Sequence, residues 1–153
     1  MPKVAEQIAA LPIRWDAKDE IRILMVTTRN TGRWVVPKGW EMKGKTRWKA
    51  AAIEAYEEAG VKGQITDESI GSYRYPKVLK SGKIVPCLVR VYPMVVEKIL
   101  GDWKERHQRK RRWFTPKAAA RRVAEPELAK MLRSLAKKPH KVPELRGLRK
   151  MGI

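Results

Sequence analysis

The chain has 153 residues, with 35 Lys+Arg against 16 Asp+Glu, a formal net charge of +19 and a pI near 10.4. That length suits one domain, and 43% hydrophobic residues with six Trp predict a folded core and exclude a wholly disordered chain. The one cysteine, Cys87, excludes an internal disulfide framework. No apolar run approaches the ~20 residues of a membrane span, and the N-terminus has no signal-peptide core, so a soluble cytoplasmic protein is expected.

The first two predicted strands cover residues 8–15 and 21–28, both rich in aliphatic residues, with the polar turn Asp16-Ala17-Lys18-Asp19 between them. Asn30-Thr31-Gly32 is a turn, and 33–36 a short strand stopped by Pro37. Residues 38–46, with Gly39 and Gly44, predict a loop. Thr46 then caps a helix over Arg47–Ala59 that holds five alanines, with Gly60 at its C′ position. Two further strands, 65–75 and 84–96, are predicted to form a hairpin around Ser81-Gly82, with Pro86 and Pro93 placing the second at an edge or on bulges. Residues 101–110 form a charged loop and 111–114 a last strand. Thr115-Pro116 opens a helix to about Val123. A helix over 127–137 carries Leu128, Met131, Leu132 and Leu135 on one core-facing stripe. Residues 138–153, rich in proline, glycine and basic side chains, predict a loosely held basic tail after a domain over 1–137.

The charge is uneven. Residues 101–153 carry 17 basic and 5 acidic side chains, net +12. Such a surface favours polyanions, either a polyphosphorylated small molecule or nucleic acid bound weakly and without sequence preference. It leaves oligomeric state open. Trp34, Trp103 and Trp113 alternate with basic residues and are expected to pack at strand ends, whereas Trp40 and Trp48 flank the loop and the start of the long helix. Cys87, in an apolar strand, is expected to be buried and inert, and His107 to be a surface side chain.

Within the long helix, Glu54, Glu57 and Glu58 stand at i, i+3 and i+4, which puts three carboxylates on one face with Cβ atoms about 5–6 Å apart. Such a cluster either takes a cation or pairs with Lys and Arg on an exposed face. With no Cys/His cluster in the chain, oxygen donors would suit Mg²⁺ or Mn²⁺ rather than zinc.

Pro37-Lys38-Gly39 followed by Glu54-Ala55-Tyr56-Glu57-Glu58-Ala59-Gly60-Val61 resembles the Nudix box: Gly, five residues, Glu, seven residues, then Arg-Glu-aliphatic-any-Glu-Glu-any-Gly-aliphatic. Counting from Gly39 puts Glu54, Glu57, Glu58, Gly60 and Val61 in register. Two positions depart: the loop Glu of the pattern is Lys45 here, and the Arg before the first helical Glu is Ile53. Thr27-Thr28-Arg29, Arg33-Trp34-Val35-Val36-Pro37, Asp102-Trp103-Lys104-Glu105 and Arg109-Lys110-Arg111-Arg112-Trp113-Phe114 are similar to segments of the diphosphoinositol polyphosphate phosphohydrolases. Arg14 matches a phosphate-binding arginine of that subfamily.

The resemblance implies an α/β protein, a Nudix-type α/β/α sandwich with a central mixed β-sheet between helices, over residues 1–137. It further implies a Mg²⁺-dependent pyrophosphohydrolase that cleaves a phosphoanhydride bond in diphosphoinositol or dinucleoside polyphosphates. Glu54, Glu57 and Glu58 with the Gly39 carbonyl would bind metal, and Glu54, or Glu105 from another loop, would take the proton of the attacking water. Arg14, Arg29, Arg33 and Lys38 would hold the other phosphates, joined by Lys43 and Lys45 if these are more than surface charge. Two other readings stand beside it: a pyrophosphohydrolase of RNA 5′ ends, suggested by the basic tail, and a non-catalytic polyanion-binding module, suggested by Lys45 and Ile53.

Overall fold

In the computed structural model, residues 4–137 are described, and the expectation of a loosely held tail over 138–153 lies outside them. Eight strands form one sheet, with helices on both of its faces, so the sandwich expected from the resemblance is present. In chain order the strands are β1 (Ala5–Trp15), β2 (Ile21–Thr27), β3 (Trp34–Val35), β4 (Lys38–Trp40), β5 (Val61–Ile65), β6 (Gly71–Val78), β7 (Ile84–Ile99) and β8 (Arg111–Phe114). The helices are α1 (Arg47–Ala59), α2 (Pro116–Arg122) and α3 (Pro126–Lys137). β1 and β7 run parallel at the centre, and the other pairs are antiparallel, so the sheet is mixed.

Both central strands are apolar on both faces, as burial under helices requires. Alternate residues of β1 go to opposite sides. Ile8 and Ala10 pack with Ala51, Ala55 and Ala59 of α1, and Ala9, Leu11 and Ile13 with Leu128 and Leu132 of α3. The alanines let α1 lie close on the sheet. Thr46 Oγ1 accepts from the Lys49 N–H at 3.3 Å, and Gly60, with φ +66°, ends the helix by donating its N–H to Tyr56 O. Arg111 completes that end: its guanidinium donates to Ala59 O at 2.8 Å and Leu100 O at 2.7 Å and stacks 3.9 Å from the Trp103 ring. A Cβ on Gly60 would press against Trp103 and Arg111.

Three expectations are corrected. Residues 38–40 form strand β4 rather than loop, because their backbone supplies a partner for β1 at Gln7–Ala9, where β2 has already diverged. The run 65–75 is split. β5 ends at Ile65, Glu68 N–H donates to Thr66 Oγ1 in a turn, and β6 restarts at Gly71. β7 is central, not an edge, despite its two prolines. Pro93 O accepts from Thr66 N, so its missing donor faces the seam where β6 gives way to β5. Pro86, of opposite parity, faces the β1 side one residue before that ladder begins at Cys87. Neither proline breaks a ladder bond.

Candidate active site

α1 and β4 meet at the end of β1, where Ile8 pairs with Gly39. A Cβ on Gly39 would collide with the Glu54 carboxylate, so the glycine is what lets the helix acids reach the strand. Since Gly39 turns its bare face to Glu54, the flanking side chains of Lys38 and Trp40 point to the opposite face of the sheet. Lys38 is nonetheless tied to the acids through its backbone, whose N–H donates to Glu58 Oε1 at 3.3 Å.

Burial governs these acids. Glu58 is buried, and loss of water pushes its carboxyl up to about 8, an effect only partly offset by Arg109. Glu54 is also raised, chiefly by burial and then by the nearby negative charges, while a hydrogen bond from Glu58 works the other way. Burial thus disfavours the charged form of both carboxyls. Glu57 stands apart, its Oε2 2.7 Å from Lys104 Nζ. Among the described residues, no three acidic, His or Cys side chains close around one point as a ready ion cage. The donor chemistry still fits a hard cation: two desolvated carboxyls against a glycine backbone, with Glu57 a third that would be available on releasing Lys104.

The loop between β7 and β8 brings cations to the same end. Glu105 N–H donates to Glu57 O, and Trp103 Nε1 donates to Glu58 O at 3.1 Å. Arg109 sits at the centre with its side chain 10% exposed. Its Nε donates to Glu105 Oε1 at 2.8 Å, its Nη1 to Thr27 O at 3.0 Å, and its Nη2 lies 3.6 Å from Glu58 Oε2. Glu105 is thus shielded and held by Arg109, within the site rather than out in solvent. Beyond Arg109 opens a cleft of about 370 Å³, lined by Thr27, Thr28, Arg29 and Gly32 on one side and by Arg106, His107, Gln108, Arg109 and Lys110 on the other. No acidic side chain lines it. Arg29 reaches across to Gln108 Oε1 at 3.4 Å, and Lys110 N–H donates to Thr27 Oγ1 at 2.9 Å.

Of the residues singled out from the sequence, Glu54, Glu57, Glu58, Gly39, Glu105 and Arg29 come together here, with Lys38 tied in by its backbone. Arg14 does not: it lies six residues along β1 from Ile8, roughly 20 Å away, with its guanidinium 4.1 Å from the Trp113 ring. Arg33 turns to the other face of the sheet, 3.6 Å from the buried Glu125 carboxylate. Lys43 and Lys45 are exposed on the loop before α1. The Lys38 ammonium sits against Tyr75, donating to its hydroxyl at 3.2 Å, and burial together with Lys77 pulls it below the ordinary lysine range. The Arg109–Glu105 pair is one the sequence suggests, whereas Lys104 on Glu57 and Arg109 near Glu58 are not. The i,i+4 spacing of Glu105 and Arg109 hinted at their pairing, but nothing local points to Glu58.

The NUDIX domain family matches residues 6–135 of the chain. Nudix hydrolase 12, mitochondrial, of Arabidopsis thaliana is 34% identical over 107 residues, covering 68% of this chain and 53% of that protein. Human diphosphoinositol polyphosphate phosphohydrolase 3-alpha is 32% identical over 111 residues, 71% of this chain and 63% of that protein. The chain therefore spans about half to two thirds of the length of these relatives. A crystal structure of an Ap4A hydrolase from C. elegans superposes with a TM-score of 0.68 at 19% identity, covering 90% of this chain and 98% of that one, a likeness of fold.

Proposed function

The chain belongs to the Nudix hydrolase family, and from that premise we propose that it is a Mg²⁺-dependent pyrophosphohydrolase cleaving a phosphoanhydride bond in diphosphoinositol or dinucleoside polyphosphates. The carrying observation is the junction of two opposite charges. Buried acids of α1 lie beside an acid-free basic cleft, and Arg109 touches both. A polyphosphate needs both environments, cations along its spectator phosphates and acids that gather a divalent ion at the scissile one.

Glu54, Glu57 and Glu58 with the Gly39 carbonyl would hold that ion, which when bound offsets phosphate charge and lowers the pKa of attacking water. The rest falls to side chains of this chain. Arg29, Arg106 and Lys110 line the cleft as phosphate donors, and arginine's planar fork suits that role. Glu54, whose carboxylate lies against Gly39, would take the proton of the attacking water. Glu105, engaged by Arg109 Nε, acts instead to position that guanidinium.

The pairing of Glu57 with Lys104 favours a second reading, a polyanion-binding module without turnover. One experiment separates them. Purified protein is incubated with diadenosine tetraphosphate or a diphosphoinositol polyphosphate and Mg²⁺, beside Glu57→Gln. Turnover lost in the variant supports the hydrolase. No turnover with either substrate, in Mg²⁺ or Mn²⁺, overturns it in favour of the binding module.

A further inference from the structure

The β6–β7 hairpin contributes no residue to the active site. Residues 69–96 include five cations, Arg74, Lys77, Lys80, Lys83 and Arg90, and no acidic residue. Arg90 pairs with Glu6, whereas Lys77, Lys80 and Lys83 form no ion pair with any described residue. Three unneutralised lysines on one short hairpin repel each other, and a bound polyanion would relieve that repulsion.

An aromatic ring completes the surface. Trp40 is 46% exposed, and the Lys77 ammonium lies 5.4 Å from its centroid. The hairpin and β4 are fastened together below it, since Trp40 pairs with Gln7 and the Tyr75 hydroxyl donates to Gln7 Oε1 at 2.6 Å. Trp40 also adjoins Gly39, whose other face meets Glu54. The indole lies on the face of the sheet away from Glu54, next to Lys77, whose strand runs out to the turn carrying Lys80 and Lys83.

We propose that this face docks single-stranded nucleic acid, with Trp40 stacking a base and Lys77, Lys80 and Lys83 taking backbone phosphates. Aromatic platforms interleaved with cations bind single strands with little sequence preference. An anionic membrane is the rival partner, and the hairpin does carry an exposed apolar pair, Val78 and Ile84, which face each other in the ladder. Val78 and Ile84, however, point to the opposite face from Lys77, so that exposed pair lies away from the lysine and indole surface.

The test uses the full chain and a fluorescent oligouridylate with a 5′-hydroxyl end, which offers no anhydride to cleave and so isolates docking from hydrolysis. Anisotropy titrations at about 50 and about 200 mM salt should show the triple variant Lys77→Ser, Lys80→Ser, Lys83→Ser binding about tenfold or more weakly, with a salt slope smaller by about 2. Trp40→Ala should weaken binding about tenfold while Trp40→Phe retains it. Hydrolysis of diadenosine tetraphosphate by the triple-serine variant should stay within about twofold of wild type. Unchanged oligonucleotide affinity in the triple variant overturns the proposal. So does a loss confined to phosphatidylserine vesicles, which would make the hairpin a membrane contact.

Discussion

The acids of α1 and the cations of the cleft solve opposite electrostatic problems with different kinds of structure. The acids ride on one regular helix, so their spacing follows from its period, and burial makes Glu54 and Glu58 unwilling to carry charge. The cations come from two irregular segments, the turn after β2 and the loop before β8, and stay largely in water, where like charges are screened. Arg109 belongs to both regions. Its buried guanidinium compensates Glu58 and Glu105 on one side and borders the cleft on the other. The acidic region stores the tendency to bind a cation, and the basic one the tendency to bind a polyanion. A metal polyphosphate satisfies both at once.

Removing the buried acid should have the largest effect. Glu58→Gln should lower kcat at least about a hundredfold, since the amide can neither give up a proton nor bring a full charge to a cation. It should also alter stability in a defined direction. Glu58 titrates near 8 in the folded protein against an ordinary 4.5, so folding takes up a proton in that window. In chelator the stabilisation from this group is full below about pH 4.5 and is lost as pH rises through 8. Thermal melts across pH 5–9 should show that decline in wild type and a flatter curve in Glu58→Gln. An equal decline in both would place the proton elsewhere.

Arg109→Met cuts the link instead of one end. The buried carboxylate loses its counter-charge, so Glu58 is pushed higher still and the declining limb of the melts moves to higher pH. The cleft loses a cation, so KM for a polyphosphate should rise about tenfold as well. If Arg109→Met moved KM but left the pH profile alone, the guanidinium would serve the cleft only.

Two arginine variants test where the basic region ends. Arg29→Ala should raise KM about tenfold, as expected for an arginine lining the cleft, with little change in melting temperature. Arg14→Ala should leave KM unchanged and cost roughly 0.5–1 kcal/mol by removing the guanidinium from the Trp113 face. Matching KM effects from both would show that the substrate extends along β1.

This pattern explains what could be read from the residues alone. The acids, their cap at Thr46, the stop at Gly60 and the stripe of α3 all depend on contacts within a few residues, and they stand where periodicity placed them. The sandwich itself came with the motif. What local spacing misses is pairing at a distance. β4 exists only because β1 has an open edge at Gln7–Ala9, and β7 tolerates Pro93 only because β6 ends and β5 begins beside it. Arg109 is 51 residues from Glu58, and no rule of spacing connects them. Arg14 and Arg33 show the converse: each is an arginine near a phosphate-like pattern, yet one is drawn to Trp113 and the other to Glu125.

The smallest effect is the most diagnostic of how the two regions interact. Lys104 is exposed, and its bond to Glu57 holds the ammonium above its ordinary range. An exposed pair of this kind contributes under about 1 kcal/mol, so Lys104→Ser should barely move the melting temperature. Yet Lys104 occupies Glu57, the third acid of the proposed ion site. Releasing it should tighten Mn²⁺ binding, by up to about fivefold since 1.4 kcal/mol is tenfold, as read from the free-ion signal in a spin-resonance titration. Because the competition is electrostatic and solvent-exposed, the gain should shrink at high salt, whereas Lys104→Arg should bind Mn²⁺ as wild type does. Weaker Mn²⁺ binding by Lys104→Ser would mean that the lysine steadies Glu57 for the ion rather than competing with it, and the basic loop would then be an organiser of the acidic helix instead of its rival.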